Sequence, residues 1–148
     1  MSRAARIVLI LVALAAFAVI SLLVARVLTV GNAERDAAYR IVRAEAAGDE
    51  AAVVGRVRGC AADPACVERV RRTIARVRHA GAAKLLRFDG PGGIALTGRS
   101  GRARVAWKAG TALPVVQCLR LRTSGNPLGG YTVHVTAFGE PTALDEPC

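Results

Sequence analysis

Residues 7–25 read IVLILVALAAFAVISLLVA and hold no charged side chain. At about 1.5 Å per residue such a helix extends ~28 Å, the hydrocarbon thickness of a bilayer. A helix buried in a soluble domain normally keeps a polar face, and this run has none. Arg3 and Arg6 precede it with no acid nearby, whereas Glu34, Arg35 and Asp36 mix signs after it. The unopposed positive charge predicts a cytoplasmic N-terminus (residues 1–6), a transmembrane helix over 7–30 and an exported domain over 33–148. Arg26 sits at the outer boundary, where it can snorkel into the headgroups. A signal peptide is the rival reading. Its apolar core is usually ~7–15 residues, shorter than this one, and the nearest cleavage pattern, Gly31-Asn32-Ala33, lies well beyond the core. The expectation is an uncleaved signal anchor in the plasma membrane.

The rest is enough for one small domain. Of the 21 basic residues only Arg3, Arg6 and Arg26 precede it, so eighteen basic side chains face eleven acidic ones in the exported part. Such a surface favours anionic headgroups, acidic wall polymers or an acidic envelope protein. Nucleic acid is not expected outside the cell, and the few aromatic residues provide no stacking platform for single strands.

All four cysteines, Cys60, Cys66, Cys118 and Cys148, follow the membrane run. An even number in an oxidising compartment predicts two disulfides. The favoured pairing is Cys60–Cys66 and Cys118–Cys148. Asp63 and Pro64 read as the N-cap and first-turn proline of a helix that starts between the first two cysteines, so a bond there would fix a corner between helices. The second bond would tie an irregular tail to a strand. Zinc sites need closer cysteine spacing and four ligands, and redox pairs of the C-x-x-C type are absent. No metal or cofactor is expected.

Three helices are predicted after the membrane run. The first covers 33–47, capped by Asn32, with Ala37, Ala38, Ile41, Val42 and Glu45 on one face. Gly48 ends it and Asp49 opens a second helix, with Val53, Val54 and Val57 turned inward. The third runs from Pro64 to about His79, with Val67, Val70, Ile74 and Val77 recurring at helical spacing. Glycine turns then punctuate about five strands: 84–88, 94–97, 102–108, 114–122 and 131–138. The segments GRSG (98–101) and TSGNPLGG (123–130) read as turns, and the tail from Gly139 as irregular. Helices first and strands after imply an α+β domain, with helices packed on one side of a curved antiparallel sheet. On the opposite side Arg102, Arg104, Arg120 and Arg122 form a stripe. It can be solvated charge that blocks edge pairing, or a surface for an anionic partner.

Catalytic patterns are weak. Residues 93–100 (GIALTGRS) approach the phosphate-loop spacing, but Arg99 replaces the lysine and a strand follows instead of a helix. Ser100 or Ser124 could serve as nucleophile with His134 as base, yet no nucleophile elbow surrounds either serine. His79 lies at a helix C-terminus, an ordinary place for a cation. Trp107 and Tyr131 are candidates to line a cavity.

The segment AYRIVRAEAAGDEAAV (38–53) resembles the opening of nuclear transport factor 2-like, cystatin-like α+β domains, where a helix breaks at Gly-Asp before a cone-shaped sheet. RVAWKAGTALPVVQCLRLRTSGNPLGGYTVHV (104–135) is similar to the long paired strands that close the cone. The resemblance covers roughly residues 33–138. It implies a membrane-anchored extracytoplasmic member of the kind common in actinobacteria, some associated with lipid import. The enzymatic members place Asp and His inside the cone. Here only His134 and the helix-capping Asp49 are available, so no catalytic residue is carried over. The expected function is a non-catalytic, membrane-anchored binding or scaffolding protein of the cell envelope. The alternative is a small-molecule or lipid-binding accessory of a transport system, and less so an enzyme. Neither the oligomeric state nor the ligand follows from the sequence.

Overall fold

The computed structural model describes residues 2–93, 98–126, 128–143 and 148. Its first element is a 45-residue helix, α1 (Arg3–Ala47), opened by Ser2, whose hydroxyl accepts from the Ala5 amide (3.2 Å). It contains a stretch long and apolar enough to cross a membrane. Large apolar side chains there are bare, Phe17 being 70% exposed. The predicted break between residues 30 and 33 does not occur. Asn32, expected as an N-cap, is an exposed residue inside the helix. A cap acts only where the chain leaves the helix, and here the apolar segment runs into an alanine-rich one without proline, so the hydrogen-bond ladder continues. Gly31 costs only about 1 kcal/mol in that ladder.

The helix ends where the sequence says. Gly48 adopts φ 76°, and the Asp49 amide bonds back to the Ala44 carbonyl (2.9 Å). Asp49 caps α2 (Glu50–Arg56), accepting from Ala52 (2.9 Å). A 3-10 turn (Cys60–Ala62) leads to α3 (Pro64–Val77), where Asp63 accepts from Ala65 (3.0 Å) and Pro64 fills the first turn. Cys60 and Cys66 stand at disulfide distance across this corner, Cα–Cα 5.3 Å. Arg71 on α3 pairs with Glu50 on α2 (3.1 Å), fixing the two helices at their solvent side.

Four strands follow: β1 (Ala83–Asp89), β2 (Gly98–Ala109), β3 (Val115–Asn126) and β4 (Gly130–Thr142). They form one open antiparallel sheet in chain order. The predicted strand at 94–97 lies outside the described residues. Three boundaries differ from expectation. GRSG belongs to β2, residues 123–126 and 130 of the predicted turn belong to β3 and β4, and β4 takes in residues 139–142 of the tail. Glycines hide these extensions because they add nothing to an alternation pattern. Gly98 (φ 108°) shows why glycine sits there: a Cβ would come 2.5 Å from the Thr123 carbonyl oxygen across the ladder.

The inner face of the sheet carries Ala103, Val105, Trp107, Leu119, Leu121, Val135 and Phe138, all buried. Ile41 and Val42 of α1, Val53 of α2, and Val70, Ile74 and Val77 of α3 cover it. Val57 bridges to Val135, and the Arg58 amide donates to the Val135 carbonyl (2.8 Å), stitching the helical layer to β4. The alternation read for β2 and the spacing read for α3 therefore place the core as expected.

Candidate functional site

The outer face of the sheet gathers the four predicted arginines. Antiparallel register sets Arg102 directly opposite Arg120, Arg104 opposite Cys118, and Ser100 opposite Arg122. Arg102, Arg120 and Arg122 are exposed, and Arg104 is half-buried. Like charges directly opposed across a ladder repel, so this arrangement stores unfavourable energy that an anion would relieve. Two members of the stripe have polar neighbours. Arg102 donates to the main-chain oxygen of Cys148. Arg104 lies opposite Asp89 of β1, whose carboxylate pairs with Arg87 (2.8 Å). Among the described residues Arg120 and Arg122 have no acidic partner, so the net positive charge concentrates there. They line an open groove of about 730 Å³ with Ser100, Ser124 and Thr136. The hydroxyls add uncharged donors beside the two guanidiniums, a set suited to carboxylate or phosphate oxygens.

Cys118 and Cys148 stand at disulfide distance on this same face, Cα–Cα 5.7 Å. The pair anchors Cys148 close to Arg102. Both predicted cysteine pairings are thus the ones the chain adopts.

The remaining candidates do not converge. Ser100 and His134 share a row across the sheet, but Arg122 pairs with both and stands between them. Two strand spacings put them about 10 Å apart, beyond hydrogen-bond reach. Ser124 pairs with Thr132. The phosphate-loop arginine, Arg99, points inward to a carboxylate, and the strand β2 follows instead of a helix. Residues 94–97 of that motif lie outside the described residues. Trp107 is fully buried, packed in the core with Ile41 and Leu119. Tyr131 pairs with Gly125, at the opposite end of β3 from Val115, the partner of Trp107. The two aromatic candidates are therefore at opposite ends of the sheet. His79 is exposed just past α3. Among the described residues no group of three His, Cys, Asp or Glu side chains could hold a metal.

Beneath the sheet lie two buried carboxylates that hold α1 to β3. Glu34 accepts from Arg99 Nε (2.9 Å) and Nη2 (2.5 Å) and from the Thr123 hydroxyl (2.7 Å). The hydrogen bond that Arg99 donates to Glu34 is the main reason that Arg99 holds its proton more tightly than usual. Glu45 accepts from Gln117 Nε2 at 2.9 and 3.0 Å. Burial pushes the Glu45 carboxyl up to about 8, with the Gln117 hydrogen bond opposing the shift. The sequence reading placed Glu45 on the inward stripe. It missed Glu34, although Glu34 precedes Ala38 by four residues and extends the same stripe by one turn.

No protein-family model, curated protein or solved structure matches the chain.

Proposed function

We propose that this chain is a single-pass protein of the plasma membrane whose α+β domain faces the oxidising exterior and binds an acidic partner of the cell envelope without catalysis. The observation that carries this reading is the pair Arg120 and Arg122, without an acidic partner among the described residues, on an outer sheet face that the helices leave open. The bare apolar helix supports the anchor, and the two cysteine pairs support an oxidising compartment. The helix break at Gly48-Asp49 ahead of an antiparallel sheet supports a nuclear transport factor 2-like fold for the domain.

The test is charge reversal at both positions, Arg120→Glu with Arg122→Glu. Mild crosslinking in cells followed by affinity purification should recover an acidic envelope protein with the wild-type chain, released by added salt. The double variant should recover at least tenfold less. Equal recovery with both chains, or no reproducible envelope protein with the wild type, would overturn the assignment.

A further inference from the structure

We infer that the β3–β4 hairpin tip is a second membrane contact, seated in the lipid interface beside the emerging end of α1. The inference rests on the membrane reading of α1. Its geometry comes from the two buried carboxylates. Glu34 meets Thr123 and Glu45 meets Gln117, so α1 and β3 run antiparallel along one another. Followed toward the N-terminus of α1, β3 continues to Asn126 and the chain returns at Gly130. Three strand residues beyond Thr123 extend about 10 Å. The same distance along α1 is about seven residues, which brings Asn126 level with Val27. The tip reaches past that, to the boundary of the uncharged run.

Burial along α1 agrees with this placement. Val30, one turn before Glu34, is 2% exposed although it precedes the domain proper. Leu23 lies two turns further on the same face, inside the apolar run. It is half-buried, whereas every other residue from 3 to 25 is exposed. The cover over α1 therefore extends down to the membrane segment.

Among its described residues the tip presents an apolar side chain. Asn126 Oδ1 accepts from the amides of Leu128 (2.9 Å) and Gly129 (2.7 Å), which closes the turn with its own side chain. Gly125 (φ 123°) and Gly130 (φ 90°) take the left-handed positions on either side. Leu128 is left 79% exposed. A single exposed leucine is ordinary on a protein surface, but at this level on α1 it would lie at an acyl-chain boundary, where burial of its side chain is favourable. Arg122 stands on the same hairpin, about 13 Å above Asn126, on the side where anionic headgroups would extend their negative potential. A lipid surface fits all three observations.

The experiment uses the full chain, reconstituted in vesicles of mixed zwitterionic and anionic lipid, some brominated high on the acyl chain. The reporter is Leu128→Trp. Leu113→Trp is the control, placed on the β2–β3 turn at the far end of the sheet, where Leu113 is 85% exposed. The native Trp107, fully buried at that far end, provides the baseline. Brominated lipid should quench the Leu128→Trp emission severalfold more than that of either the control or the wild type. Protein that floats with the vesicles and resists alkaline extraction, yet shows equal quenching at both positions, would overturn the hairpin contact and leave the anchor standing. Protein that fails to float would remove the anchor and the hairpin contact together.

Discussion

Glu34 and Glu45 lie on one face of α1, about three turns apart, and neither is exposed to solvent. Their surroundings differ. Glu34 meets a guanidinium in two-pronged geometry plus a hydroxyl. Glu45 meets only an amide, whose Oε1, like the nearby Trp107 Nε1, has no hydrogen-bond partner among the described residues. A buried charge is tolerable when matched by a counter-charge and costly when it is not. Glu34 is matched by a guanidinium inside the protein, whereas Glu45 answers burial by keeping its proton. Turning the Gln117 amide by half a turn would present its orphaned oxygen to that proton. The pair shows that one residue type, at one helical spacing, forms either an ionic clamp or a neutral hydrogen-bonded contact, depending on what the facing strands supply.

The contrast can be broken most forcefully at Arg99. Arg99→Ala leaves Glu34 buried without its counter-charge and should destabilise the chain by about 3–5 kcal/mol. Urea unfolding of the detergent-solubilised protein would read this as a large fall in the midpoint. A loss under 1 kcal/mol would mean that Glu34 finds water on its own.

Glu45 predicts a smaller effect with a distinct pH signature. Its folded value, about 8, is above the ordinary 4.5. The folded chain therefore holds this proton more tightly than the unfolded chain. The stability from the neutral carboxyl is fully present below pH 4.5, declines as pH rises and is lost by the time pH passes 8. At pH 7 the loss is about 3 kcal/mol relative to acid. Glu45→Gln keeps the shape without the titration, so its stability should not follow this decline. Parallel pH profiles for the wild type and Glu45→Gln would remove the neutral-contact account.

Thr123→Val sharpens the comparison with the smallest change. It removes the hydroxyl donor to Glu34 and leaves Arg99 in place, for an expected loss of about 1.5–3 kcal/mol, the range for a hydrogen bond to a charged group. The variant should cost less than Arg99→Ala. If it costs as much, the hydroxyl and not the guanidinium holds the carboxylate.

What the sequence made legible follows the same division. Side chains that recur at a fixed period announced their positions: Ile41, Val42 and Glu45 on α1, Val70, Ile74 and Val77 on α3, and Val105 and Trp107 on β2. The Asp63-Pro64 cap between Cys60 and Cys66 announced the helix corner and with it the cysteine pairing. Glu34 stayed hidden because Asn32 offered a ready N-cap, and an acid in the first turn of a helix needs no buried partner to explain it. Arg99 stayed hidden because it sits among glycines that carry no periodic signal. The ion pair between these two joins residues 34 and 99 of the chain, and no local pattern links them. The arginine face was legible from alternation alone, but not which polar groups its members meet. That depended on where Asp89 and the Cys148 main chain came to rest.

Where α1 crosses a bilayer, its unbroken course through residue 31 would join the domain to that bilayer by continuous helix. Each helical residue advances the chain by about 1.5 Å and rotates it by about 100°. One residue added between Leu28 and Ala33 would swing the arginine groove through more than a quarter circle about the membrane normal while lifting it by little more than an atom's width. In such a setting the azimuth of the arginine groove about the membrane normal would be set by the length of this helical segment.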